Sequence, residues 1–294
     1  MIELRELTKR YGTTVAVDRL SLSIPAGSIF GFLGPNGAGK TTTIRLMMGL
    51  LEPSAGSVHL GGFDLHAEPL PAKALCGFVP DRPHVYEKLT GAEFIDFAAD
   101  LYHVDPDAKA ARRERLLEVF DLHEWRDEMA ESYSHGMKQR LVMAAALVHA
   151  PRILIVDEPT VGMDPRGARL LKRIFRDLAD DGATVFMSTH SLEVAEETCD
   201  RIGIINQGRL IAVGTVEELR CQAGSAARDY VGAGAWQMTK ETEQARAVIA
   251  PPVSAHLAGK VADRAVDDGI RPELLRFMSG VDIVEAIYHY RGVW

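Results

Sequence analysis

The sequence predicts an α/β protein, with an antiparallel β segment in front, a helical insertion in the middle and a small accessory region behind. Three observations predict it. Ser28-Ile-Phe-Gly-Phe-Leu33 is a short, nearly continuous apolar run, the pattern of a strand covered on both faces. A glycine-rich loop follows it at once, and Thr42 to Leu51 then has the length and apolar spacing of a helix. Far along the chain, Pro151-Arg-Ile-Leu-Ile-Val-Asp157 repeats the buried-strand pattern and ends in a carboxylate.

Each further element follows from its own spacing. Residues 2–7 alternate polar and apolar, and Leu20-Ser-Leu-Ser-Ile24 does so again before Pro25-Ala-Gly27, so the opening part is antiparallel β. Residues 84 to about 150 read mostly as helix. Thr90-Gly-Ala-Glu93 has capping-box spacing. Behind it, Phe94, Phe97, Ala98, Leu101 and Tyr102 fall on one helical face, with Phe94 and Phe97 expected in the core. Asp105-Pro106 breaks that helix and another covers 108–120. Leu141 to Ala150 reads as a buried helix. Asp164-Pro165 is an N-cap with proline at the first helical position. Leu170, Leu171, Ile174, Phe175 and Leu178 form the stripe of that helix, and Gly182 stops it. Ala183 to Ser188 is another buried strand. Ile202–Ile205 and Leu210–Val213, joined by Asn206-Gln-Gly-Arg209, read as a hairpin. Residues 222–260 are rich in Ala and Gly with few large apolar groups, so 1–220 is expected to be the working domain and 221–294 an accessory region.

Composition narrows the function. The 294 residues carry 33 basic and 41 acidic side chains, a net charge of −8, which gives no general pull toward nucleic acid. The cysteines are three and none forms a CxxC pair, so neither a disulfide framework nor a zinc site is expected. No stretch approaches the ~18 apolar residues that span a bilayer, and the opening residues lack a signal-peptide pattern. Any membrane role therefore calls for a separate chain.

The chemistry concentrates in two places. Gly34-Pro35-Asn36-Gly37-Ala38-Gly39-Lys40-Thr41 matches G-x4-G-K-[ST], the P-loop pattern, and it sits between a strand and a helix as that motif requires. Small residues let backbone N–H groups turn toward phosphate oxygens, and the following helix adds its positive end. Lys40 is expected to reach the β- and γ-phosphates and the Thr41 hydroxyl to ligate Mg²⁺. Asp157 and Glu158 end an apolar strand, where two carboxylates are costly unless they meet a cation or a reacting group. Asp157 is expected to hold the Mg²⁺ hydration shell, and Glu158 to polarise the attacking water. Phosphoryl transfer needs positioning, metal and charge stabilisation more than covalent chemistry, so a hydrolase built on a P-loop NTPase core is the reading of these residues.

Six motifs in order resemble the ATPase subunits of ABC (ATP-binding cassette) transporters. They are Walker A (34–42), a Q-loop region (Val79-Pro-Asp-Arg-Pro83), a signature region (Tyr133-Ser-His-Gly-Met-Lys-Gln139), Walker B with its glutamate (153–158), a D-loop (Val161-Gly-Met-Asp164) and a switch histidine (Ser188-Thr-His190). They cover residues 1 to about 220. The resemblance implies that Tyr11 stacks on adenine and that Thr42 joins the ATP site. It implies that two cassettes, identical or related, pack head to tail with ATP between them. Ser134, His135 and Gly136 would then face the γ-phosphate held by the other subunit, Asp164 would cross the interface, and His190 would contact the γ-phosphate. It also implies a separate transmembrane permease, docked on the helical insertion near His84, Tyr86 and Glu87, and a cytoplasmic place on the inner face of the membrane. The wording of 50–65 and 191–215 is similar to subunits paired with export permeases. An importer subunit is the alternative, as is a soluble or regulatory cassette with slow or no turnover; no nucleic-acid partner is expected.

The sequence departs from the family pattern twice. The Q-loop glutamine is Asp81, a possible Mg²⁺ ligand and one methylene shorter. The first glycine of the signature is His135, which would be disfavoured if the backbone there needed a positive φ.

Overall fold

The computed structural model describes residues 1–161 and 163–222. In chain order its elements are β1 (Ile2–Tyr11), β2 (Thr14–Ile24), β3 (Ile29–Leu33), α1 (Lys40–Met47), β4 (Ala55–Leu60), β5 (Phe63–Asp64), α2 (Pro69–Ala74), β6 (Cys76–Val79), α3 (Gly91–Leu101), α4 (Pro106–Val119), α5 (His135–Leu147), β7 (Ile153–Asp157), α6 (Pro165–Asp180), β8 (Thr184–Thr189), α7 (Leu192–Thr198), β9 (Arg201–Asn206) and β10 (Arg209–Gly214). Met1–Val216 forms one unit. The accessory region expected at 221–294 lies, beyond Gln222, outside the described residues.

The antiparallel sheet runs β2-β1-β4-β5. Its first hairpin is longer than the alternation marked, because β2 begins at Thr14 and not at Leu20. The interruption that hid it is physical. Glu6 and Arg19 both take φ near +48 where β1 and β2 lose register. The buried Thr8 hydroxyl donates to Glu6 O at 3.2 Å and accepts from Arg19 N at 3.0 Å, so the irregular backbone stays satisfied.

The second sheet has the order β10-β9-β3-β8-β7-β6. β9, β3, β8, β7 and β6 are parallel neighbours, and β10 closes one edge antiparallel. Every residue of β3, β7 and β8 is buried, as strands covered on both faces must be. One core joins Ile2, Leu4 and Leu7 of β1, Ile44 and Met47 of α1, and Phe30, Phe32, Ile155 and Phe186 of the parallel sheet. The antiparallel sheet, α1 and the strand ends therefore share one packed core, on which the loops at those ends are mounted. Among the described residues no helix is long and apolar enough to cross a membrane.

The helical insertion differs in detail from its expected form. Thr90 accepts from Glu93 N and Glu93 accepts from Thr90 N, so the capping box forms, a device worth about 1 kcal/mol. The buried face of α3, however, is Phe94, Ile95 and Ala99. Phe97, Leu101 and Tyr102 are exposed, at 39%, 62% and 38%, which corrects the expected stripe. Glu93, Asp96 and Asp100 mark the polar side of the helix, and the apolar arc opposite is wider than the buried face: its edge at Phe97 and Leu101 stays in solvent while Phe94, Ile95 and Ala99 are covered. α5 starts at His135 and stops at Leu147, and α1 starts at Lys40 and stops at Met47, both ahead of the apolar runs that announced them. Between 52 and 83, β4, β5, α2 and β6 appear where no periodic pattern was read.

Candidate functional site

Three adjacent parallel strands deliver their C-terminal ends to one place, as the crevice rule for open α/β sheets expects. Leu33 of β3 is in register with Thr189 of β8, and Asp157 of β7 with Ser188. The glycine loop, the acidic pair and His190 are thereby neighbours. Gly34 N–H donates to Thr189 O at 3.3 Å, which ties the loop to β8. Gly39, the residue before α1, has φ +108, and a Cβ there would lie 2.5 Å from Ala16 O of β2. No side chain fits that position, and the loop turns back on itself because of it.

Lys40 opens α1 and is buried, yet its ammonium has company. It donates to Gly34 O at 2.7 Å and Pro35 O at 3.3 Å, and lies 3.5 Å from Glu158 Oε1. The cleft beside it, about 240 Å³, is lined by Pro35, Asn36, Gly37, Gly39, Lys40, Thr41 and Thr42 of the loop, with Ala16, Asp81 and Glu158. Ala38 is buried behind the loop. Asp81 thus shares the cleft with Glu158, and its side chain also accepts from Arg82 N at 2.8 Å.

Asp157 is 2% exposed. Burial pushes its carboxyl above the ordinary range, opposed by hydrogen bonds from Ser188 and Thr41, while the charges of Asp81 and Glu158 push it further up. An ionised Asp157 is therefore a carboxylate in need of a cation. Glu158 holds φ +49, a conformation other residues than glycine seldom keep. Its N–H reaches both Ser188 O and Ser188 Oγ at 3.2 Å. Its carboxylate spans two bases: Lys40 on one oxygen and His190 Nδ1, at 3.0 Å, on the other. Ser188, whose hydroxyl serves both acids, carried no role in the sequence reading; the signal was a buried polar residue directly after the apolar run Val185-Phe186-Met187 of β8.

The donor set suits Mg²⁺: an alcohol oxygen at Thr41 and carboxylates at Asp157 and Asp81, all hard oxygens. No group of three or more His, Cys, Asp or Glu ligands converges among the described residues.

The remaining expected residues lie elsewhere. Ser134, Gly136 and Asp164 line a separate groove of about 810 Å³. Ser134 caps α5, accepting from Met137 N at 3.3 Å, and Asp164 caps α6, accepting from Gly167 N at 2.7 Å. His135 is the first residue of α5, and neither it nor Gly136 has a positive φ. The backbone there makes no demand for glycine, which removes the steric objection to histidine. Tyr11 ends β1, half exposed and 5.3 Å from the Lys9 ammonium, outside the lining of the phosphate cleft.

Comparison with known proteins agrees with this geometry. The family profile described as "ABC transporter" matches residues 17–161. The chain is 39% identical over 223 residues to the daunorubicin resistance ATP-binding protein DrrA3 of Streptomyces coeruleorubidus, across 76% of this chain and 71% of that one. It is 37% identical to the bacitracin transport ATP-binding protein BcrA of Bacillus licheniformis, across 72% and 68%. A solved structure of the ATP-binding subunit of an ABC transporter superposes with a TM-score of 0.73 at 31% identity, across 76% of this chain and 93% of that one.

Proposed function

The chain belongs to the ABC transporter family as an ATP-binding subunit, and we propose that it is a Mg²⁺-dependent ATPase that closes as a dimer around ATP and drives a separate export permease. The observation that carries this is the Glu158 carboxylate held between Lys40 and His190 at the mouth of a P-loop.

The roles follow from the groups. The loop N–H groups and the N-terminus of α1 receive the triphosphate. Lys40 leaves the Gly34 and Pro35 carbonyls for the β- and γ-phosphates, and that exchange releases Glu158. Thr41, Asp157 and Asp81 are the residues that would hold Mg²⁺, which would supply neutralisation of the charge on the transferring phosphoryl group. The freed Glu158 takes a hydrogen bond from the attacking water, and His190 keeps that carboxylate in line. Ser134, His135 and Gly136 of a facing copy close the site from the other side, with Asp164 at the crossing and Tyr11 on the adenine. ATP is then a ligand of the closed pair only, so it shifts the open–closed equilibrium by its differential affinity.

Export is supported by relatives named for drug resistance and bacitracin transport. A cytoplasmic position against a permease follows from that reading. Glu158→Gln tests it: ATP binding should persist, turnover should fall by roughly 10²–10⁴-fold, and a dimer should accumulate in Mg-ATP. Unchanged turnover would remove Glu158 from the chemistry and the reading with it.

A further inference from the structure

We propose that an arginine stripe on α6 is the seat for the phosphate site of a second copy of this chain; this rests on the paired-copy reading above. The stripe is Arg166, Arg169 and Arg173, whose spacing puts all three on one side of α6. The opposite side, with Leu171, Phe175 and Ala179, is buried in the core. The three arginines line the same groove as Ser134 and Gly136, with Arg140 of α5 as a fourth.

The charges in that groove do not balance. Arg166 and Arg140 lie 3.3 and 3.9 Å from the single carboxylate of Asp121. Asp164, the other acid, is engaged as the cap of α6. Among the described residues, Arg169 and Arg173 have neither an acidic partner nor a side-chain hydrogen bond. Like charges at this spacing weaken a helix, and they stand here in a chain whose net charge is −8. Within the groove four guanidinium groups face the two carboxylates of Asp121 and Asp164, and the next acid on that side of α6, Asp177, lies a turn beyond Arg173 outside the groove lining, so the groove itself carries an excess of positive charge.

A second copy has such a surface. Its phosphate cleft holds Asp81 and Glu158, with Asp157 behind them, against one lysine, and it carries the triphosphate as well. The groove is continuous with Ser134 and Gly136, the residues assigned to the facing copy. Guanidinium groups pair with carboxylate and phosphate oxygens two bonds at a time, so the stripe both attracts and orients that cleft.

The test uses the full chain with a non-hydrolysable ATP analogue and Mg²⁺. Dimerisation is measured by sedimentation at low and high salt, and nucleotide binding by the dilute monomer is followed separately with a fluorescent analogue. The Arg169→Glu/Arg173→Glu double variant should dimerise at least about tenfold more weakly. Its salt dependence should flatten, while nucleotide binding by the monomer stays unchanged. Arg169→Ala/Arg173→Ala should show a smaller loss, and it serves if thermal unfolding shows that the reversed variant does not fold. A double variant that dimerises as tightly as the unmodified chain overturns the seat and leaves the pairing intact. An unmodified chain that binds the analogue yet stays monomeric overturns both.

Discussion

The Ser188 hydroxyl serves both acids of the site, donating to Asp157 Oδ1 and accepting from Glu158 N–H. Asp157 is already pushed up by burial, and Ser188 is the first of the two hydrogen bonds that oppose this. Ser188→Ala should raise the Asp157 pKa further and leave a buried carboxylate less well satisfied. The expected result is a Mg²⁺ requirement raised severalfold, an acid limb of activity moved to higher pH, and stability lower by about 1 kcal/mol. Mg²⁺ titration of turnover at several pH values, with urea unfolding alongside, checks all three. Lys40, Thr41, Asp157 and Glu158 were legible because each sits at a fixed offset from a strand end in a motif. Ser188 was not, because its role depends on β8 lying beside β7, and pairing between strands thirty residues apart is absent from any local pattern. The histidine in place of the first signature glycine was legible as an oddity only; its ordinary helical backbone needed the structure.

The C-terminal ends of α3 and α5 meet β6 at one carbonyl. Tyr102 and His149 stack at 3.6 Å between ring centres, and Tyr102 Oη and His149 Nε2 lie 3.3 and 3.1 Å from Cys76 O. The imidazole is thereby withdrawn from water, and burial pulls its pKa from 6.5 down to about 4, helped by the charge of Arg112. The fold thus binds the neutral ring and the unfolded chain takes up the proton first. Stability from this group is complete above about pH 6.5 and is lost as pH falls toward about 4. With partial solvent screening the loss should be about 1–2 kcal/mol. His149→Phe keeps the stack and removes the titration, so its urea midpoint should fall less steeply across that window than that of the unmodified chain; equal slopes would exclude His149 as the cause. Elements were legible where burial was one-sided or total, as in β3, β7 and α6. They were illegible where tertiary contact overrode pattern. β1 and β2 are broken by the bulges at Glu6 and Arg19, the apolar arc of α3 is wider than its buried face, β4 buries only Val58 and Leu60, and β5 and β6 are too short to show a period.

At the scale of the whole molecule, the rigid sheets hold the phosphate cleft while the helical insertion carries an exposed aromatic group. Tyr86, 59% exposed, stands edge-on to Phe97 at 5.2 Å and near Phe94 at 6.2 Å. Phe97, expected in the core, is on the surface, and a cluster of exposed rings beside exposed Leu101 is the kind of patch that marks a partner. Glu87 lies next to it and reaches Lys138 of α5 at 3.4 Å, four residues beyond Ser134. A permease seated on Tyr86 and Phe97 would therefore touch the segment that leads back to Asp81 and, through Glu87, the helix that begins at Ser134. Two substitutions separate docking from transmission. Phe97→Glu places a charge in the patch without opening a core cavity, and should cost roughly 2 kcal/mol of docking, about thirtyfold in affinity. Glu87→Lys leaves the rings in place but sets two cations against each other, and should spare docking while lowering transport per ATP hydrolysed. Docking and transport are read in vesicles that hold both subunits, and ATP binding on the isolated chain, where neither variant should change it. Normal transport and affinity for Phe97→Glu would remove this face as the docking site. A Glu87→Lys variant that loses docking and coupling together would place Glu87 in the contact itself and not in the relay behind it.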